Sequence, residues 1–225
     1  MPHESIAPAY GLWLLVFINS ALFIMFAFSF AKPQSKRDWR SFGAFSAFIV
    51  ALFAEMYGFP LTIYFLAPWL QTRFPGMNLY THDMGHIWYS VLGFKGNPHF
   101  NPVHIASQVI IVSGFWIVAS AWNILYQAQR AGKVATEGPY RIVRHPQYIG
   151  FILVMFGFLL QWPTIITLVM FPILVFMYVR LARREEAEVR GTQSAAYENY
   201  AKRVPAFFPR LGGSINQNDA KGGVL

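Results

Sequence analysis

What most constrains this chain is where its charges are missing. From Ala9 to Phe30 no residue carries a charge, and a helix of that length crosses an apolar layer about 30 Å thick. In such a layer the backbone satisfies its own hydrogen bonds only as a helix or a closed barrel. The pattern then repeats along the chain. Phe42–Leu70 is apolar apart from Glu55, with Pro60 expected to kink it. Val103–Tyr126 is a third run, Tyr148–Trp162 a fourth of only 15 residues, and Thr164–Val179 a fifth that starts directly after Pro163. The last two read as a short helical hairpin that tilts within the layer or only just crosses it. The expected fold is all-α: a polytopic membrane bundle of about five transmembrane helices with a short fourth–fifth hairpin and a cytoplasmic C-terminal helix.

Composition supports this reading. Charged residues make up 12% and hydrophobic ones 55%, too few charges to cover a soluble surface and too much apolar content for disorder. The net charge of +8 does not point to nucleic acid, because the bases sit at the ends of apolar runs. The absence of cysteine excludes a disulfide framework, an iron–sulfur site and a thiol nucleophile. The first run lacks a basic leader and a small-residue cleavage site, so it is expected to be retained as a span. Lysines and arginines number 4 between spans one and two, 4 between spans three and four, and 8 in the tail, against 2 between spans two and three. The positive-inside rule then expects the N-terminus outside and the C-terminus cytoplasmic, as in a bacterial inner membrane or its equivalent.

The expected organisation is three N-terminal helices with an outer loop at 71–102, together forming a substrate-selecting half (1–126). A core with a polar loop, hairpin and C-terminal helix follows (127–210), and then a flexible tail (211–225). Ile87–Phe94 is expected to lie at the membrane interface. Glu55, near the middle of a span, is expensive there and is a functional candidate. His82 and His86, at i and i+4 around Asp83, with His99 and His104, could offer imidazoles to a metal. No motif fixes a third ligand, so interfacial histidines are the favoured reading and no metal is expected.

The polar stretch from Gly138 to Gly150 and the charged tail flank the same hairpin, so both can close over one site. Their residues carry a resemblance: Arg144-His145-Pro146-x-Tyr148-x-Gly150, the short hairpin, Glu185-Glu186, Tyr197-x-x-Tyr200, then Arg203-Val204-Pro205 and Pro209. In this order the blocks resemble the integral-membrane methyltransferases of the isoprenylcysteine carboxyl methyltransferase and phospholipid methyltransferase superfamily, over roughly the last 85 residues.

The resemblance implies S-adenosyl-L-methionine as cofactor, with His145, Pro146, Gln147 and Tyr148 as its contacting block. Tyr140, Val134 and Ala135 match the approach segment, Glu185 the tail carboxylate, and Gln127 a further contact if a gap is allowed. Glu186 could balance nearby arginines or act as a base. Where the family carries a substrate-facing arginine this chain has Leu181, bracketed by Arg180 and Arg183, and either could take the role. A sulfonium cofactor with an amino-acid end needs a carboxylate, donors and an aromatic surface, which these residue types provide. The implied function is methyl transfer to a lipophilic or small carboxyl, thiol or amine acceptor at the bilayer. The alternatives are a metal-binding or metal-resistance accessory protein on the same scaffold, and a nicotinamide-dependent reductase. Oligomeric state is not legible.

Overall fold

The computed structural model describes residues 10–31, 33–73, 75, 86, 92, 100–192 and 194–209. His82, Asp83, His99, most of the Ile87–Phe94 stretch and the 211–225 tail lie outside the described residues. Among the described residues seven α-helices follow one another: α1 (Trp13–Ala31), α2 (Lys36–Phe53), α3 (Leu61–Arg73), α4 (Pro102–Arg130), α5 (Pro146–Gln161), α6 (Ile165–Thr192) and α7 (Ser194–Arg203). A π-helical turn (Ala54–Gly58) extends α2, and a 3₁₀ turn (Gly138–Arg141) precedes α5. Among the described residues four helices are long and apolar enough to cross a membrane: α1, α2 with its π turn, α4 and α6. The 16 residues of α5 reach about 24 Å at 1.5 Å each, short of a full hydrocarbon core.

Helix starts follow local chemistry. Ser35 and Asp38 form a reciprocal capping box at α2: the Ser35 hydroxyl accepts from the Asp38 amide at 3.1 Å and Asp38 accepts from the Ser35 amide at 2.9 Å. Asn101 caps α4 through the His104 amide at 2.9 Å, with Pro102 in the first turn.

The expected second span is not one kinked helix. Pro60 pushes Phe59 into an extended conformation (φ −125°, ψ 114°), and α3 starts anew beyond it. Glu55 caps that new start: its carboxylate accepts from the Thr62 amide at 2.9 Å and the Thr62 hydroxyl at 3.1 Å. The same hydroxyl accepts from the Ile165 amide at 2.7 Å, so one side chain ties the ends of α2, α3 and α6 together.

The expected boundary at Val179 is absent too. Helix α6 runs on without a break from the apolar run through Arg180 and Glu185 to Thr192, carrying Pro172 inside it. Helix α7 is a separate element. Nor is α5 mainly the partner of α6. Its glycine face lies against α4 so closely that a methyl group on Gly150 would stand 2.8 Å from the Gly114 carbonyl oxygen, and one on Gly114 2.8 Å from that of Gly150. One turn pair further, a methyl on Gly157 would stand 3.0 Å from the Ser107 oxygen. Small residues spaced by seven on both antiparallel helices let the backbones touch, the packing that holds helices together where lipid removes the hydrophobic drive. Aromatic side chains fill the remaining core. Phe45 meets Phe151 with centroids 4.9 Å apart, and Phe23 meets Phe158 edge-on at 5.3 Å.

Candidate functional site

At the end of the bundle where the basic residues gather, a cavity of about 150 Å³ opens between α2, α4, the 138–147 segment, α6 and α7. Its walls form for identifiable reasons. Gly138 has φ +54° and no room for a side chain, since a Cβ would meet Ile124 Cδ1 at 2.5 Å. The turn therefore packs down on α4 and delivers Tyr140 to a cluster with Ala121, Ala135 and Leu125. The Tyr140 hydroxyl donates to Gln147 Oε1 at 3.0 Å, and its carbonyl accepts from the Tyr200 hydroxyl at 2.7 Å. Pro146 opens α5 and keeps His145 out of helical conformation (φ −127°, ψ 55°). The ring of His145 stacks on Tyr148 at 5.9 Å, and Tyr148 on Tyr178 at 5.4 Å.

Arg144 binds the chain end to this wall. Its Nε and Nη2 donate to Glu186 Oε1 at 2.9 and 2.7 Å, and Nη1 donates to the Ala201 and Val204 carbonyls at 3.1 and 2.6 Å. Ala201 is in the last turn of α7, where carbonyls lack intrahelical donors, and Val204 follows the helix directly. Arg144 thus caps α7 with a positive charge where the helix dipole favours one. The Arg144 and His145 amides also donate to Pro205 and Ala206 oxygens at 2.8 and 3.2 Å. Tyr197, Tyr200 and Val204 form the packed stripe their spacing predicts, against Val134 and Val189.

The two adjacent glutamates differ in their surroundings. Glu186 is held by two guanidinium groups and an imidazole: Arg144, Arg190 at 3.5 Å and His145 Nε2 at 3.0 Å. A carboxylate so neutralised is a poor proton acceptor, contrary to a role as base. Glu185 sits 3.5 Å from Arg37 Nη1 and 3.5 Å from His145 Nδ1, ion-pair distances without hydrogen-bond geometry. Glu185 Oε2 and His145 Nδ1 are therefore buried without a hydrogen bond, on residues that line the cavity. Burial lowers the His145 pKa, but the hydrogen bond to Glu186 and the negative charge of Glu185 and Glu186 outweigh it, and the imidazole ends above its ordinary value.

Of the residues the sequence singled out, Val134, Ala135, Tyr140, His145, Gln147, Glu185 and Glu186 line the cavity. Pro146 and Tyr148 are buried behind it. Gln127 is exposed and bonds Asn123 at 3.4 Å; Leu125 and Gln129 line the wall instead, because residues two apart on a helix lie about 200° apart. Arg180 and Arg183 are exposed, and Leu181 between them is buried. The arginines at the cavity are Arg144 and Arg37, with Lys133 beside them. Sequence reasoning missed Arg37 as a site residue, since nothing local distinguishes it from its basic neighbours. Gln129 was accessible from the i, i+4 spacing that follows Leu125, whereas Lys133 lies past the end of α4, beyond the turn at Gly132.

Glu55, His86 and His104 lie at the other end of the bundle. His86 Nδ1 is 3.1 Å from the Gln161 oxygen, and its ring meets those of His104 and Trp162 with centroids 5.2 and 5.0 Å apart. Among the described residues no group of three or more His, Cys, Asp or Glu side chains is arranged to hold a metal.

Comparison with known proteins identifies the segment that builds most of this site. Residues 101–190 match the model of the isoprenylcysteine carboxyl methyltransferase (ICMT) family. That segment belongs to the ICMT family. It contains α4, the 3₁₀ turn, α5 and nearly all of α6; Arg37 and α7 fall outside it. Two curated relatives are similar to the chain. The cobalt-zinc-cadmium resistance protein CzcN of Cupriavidus metallidurans is 32% identical over 96 residues, 42% of this chain and 44% of that protein. The nickel-cobalt-cadmium resistance protein NccN of Alcaligenes xylosoxydans xylosoxydans is 34% identical over 143 residues, 58% of this chain and 66% of that protein. The chain thus spans less than two thirds of the length of either relative. No solved structure matches it significantly.

Proposed function

We propose that the protein is an integral-membrane methyltransferase that uses S-adenosyl-L-methionine and acts on a lipophilic or small carboxyl, thiol or amine acceptor. The observation that carries this reading is the cavity built by the ICMT-family segment, with two buried polar atoms, Glu185 Oε2 and His145 Nδ1, lacking hydrogen bonds on its wall. An orphaned buried polar group costs about 1–3 kcal/mol, and a polar ligand that supplies a partner recovers it.

The donor set suits an amino-acid end: Glu185 is complementary to an ammonium, and His145 and Lys133 to a carboxylate. Leu125, Val134 and Ala135 give an apolar wall beside them. When bound, the cofactor supplies an electrophilic methyl group on sulfur and leaves as a neutral thioether. The chain's own residues orient the acceptor and keep water out. Glu186, bound to Arg144, His145 and Arg190, fixes the wall instead of moving a proton. Arg37, whose Nη1 faces Glu185, positions that carboxylate from α2. In this reading the basic end of the bundle is cytoplasmic and the N-terminus lies on the other side.

The test is transfer of labelled methyl from the cofactor into a lipid and small-molecule extract by the detergent-purified protein. Product that carries label supports the reading, and cofactor that binds without any labelled product overturns it. A second reading, a membrane metal-binding accessory protein, is favoured by the metal-resistance names of the two relatives and by the buried His86–His104 pair. Calorimetry with S-adenosylmethionine, NADPH and zinc in separate arms distinguishes it. Heat from zinc alone selects the accessory role, and heat from NADPH alone selects a reductase.

A further inference from the structure

Arg180, Arg183 and Arg184 are exposed on the face of α6 turned away from the cavity. At 3.6 residues per turn they continue the stripe of Val169, Ile173 and Phe176, which are 57%, 60% and 64% exposed. The opposite stripe holds Tyr178, Leu181 and Ala182, all buried, and Glu185 at the cavity. The outward face is thus apolar over its membrane length and then turns abruptly cationic.

The carboxylates of α6 do not neutralise it. Glu185 and Glu188 pair with Arg37 across the bundle, and Glu186 pairs with Arg144 and His145. None of the three outward arginines has an ion pair or hydrogen bond among the described residues. Uncompensated guanidinium groups at the end of an exposed apolar stripe call for an anion that carries a long apolar chain.

We propose that this face of α6 is a binding site for one anionic phospholipid. Arg180, Arg183 and Arg184 hold the headgroup phosphate, and Val169, Ile173 and Phe176 lie along an acyl chain. Guanidinium forks match phosphate oxygens in pairs of hydrogen bonds, and the apolar stripe stands where the attached chain must run. The site is independent of the reaction in the cavity.

The experiment is native mass spectrometry of the full chain in detergent, titrated with phosphatidylglycerol or phosphatidylcholine. The variant R180A/R183A/R184A is expected to bind phosphatidylglycerol more weakly by on the order of tenfold or more, with phosphatidylcholine unchanged. A control, K36A/R40A/R141A, removes three other exposed bases and is expected to bind like the parent. An equal loss in the control overturns the proposal in favour of diffuse electrostatics. Unchanged lipid binding together with dissociation of a dimer in the arginine variant overturns it in favour of a contact between copies. If the triple variant does not purify, R180A and R184A are read singly, each expected to lower phosphatidylglycerol binding; no loss in either overturns the site.

Discussion

Each end of the bundle holds a glutamate, Glu55 buried and Glu185 partly buried, and the two are satisfied differently. Glu55 receives hydrogen bonds on both oxygens from a single residue, Thr62, whose hydroxyl also receives the Ile165 amide. That network is closed: every strong donor it needs comes from the protein, and its product is a junction of three helix ends. Glu185 keeps one buried oxygen without a hydrogen bond, 3.5 Å from His145 Nδ1, which also has none. That network is open. A buried carboxylate alone therefore does not mark a site; its unsatisfied remainder does.

The comparison can be broken most forcefully through Glu186. Glu186→Ala leaves the partly buried Arg144 without its anion and His145 with Glu185 alone, a loss of about 3 kcal/mol, and loosens the hold of Arg144 on the carbonyl end of α7. Limited proteolysis should then cut near residue 193 while the spans stay intact; resistance equal to the parent's would show that α7 is held by its tyrosines alone. Next comes Glu55→Leu, expected to destabilise by about 1–3 kcal/mol through the orphaned Thr62 donors, with Glu55→Gln much milder. Equal melting of the leucine variant and the parent would remove the junction from the account.

Glu185→Gln sharpens the contrast. Glu185 makes only ion-pair contacts at 3.5 Å, so its replacement should change stability by less than about 1 kcal/mol yet lower S-adenosylmethionine affinity measured by calorimetry. A variant that melts early and binds normally would reverse the assignment of the two ends. The smallest effect is the pH response of His145. Its folded pKa is raised above the unfolded value, so its contribution is fully present below about 6.5 and is lost as pH rises through the folded value. The parent should lose more thermal stability than His145→Gln across that window; parallel curves would contradict the direction of the shift.

The apolar runs and the bases at their ends made the helical bundle legible, because membrane length and charge exclusion act locally. The fold-back of the chain end was legible for the same kind of reason, through the stripe of Tyr197, Tyr200 and Val204. What escaped was phase and distance. Splitting the last span at Val179 hid the continuous rotation of α6, which turns Arg180 and Arg183 outward as surely as it turns Tyr178 and Leu181 inward. Arg37 reaches Glu185 from 148 positions away in the sequence, and no local pattern records such a meeting. Glu55 stood out as costly, but its partner Thr62 became visible only once Pro60 had broken the helix between them.

The glycine seam between α4 and α5 has a mechanical consequence. Backbones held at contact at Gly114–Gly150 and again at Ser107–Gly157 cannot slide or spread without losing packing along both helices, so the two act as one rigid strut. Leu125, Gln129, Tyr140 and Gln147 are mounted on that strut or beside it, and Tyr197 and Tyr200 ride on α7, latched by Arg144. A ligand too large for the resting cavity is expected to enter by unlatching α7 from that stationary frame. Amide exchange should be fast in 194–203 and slow in 107–118 and 150–158, and ligand should slow the first set only.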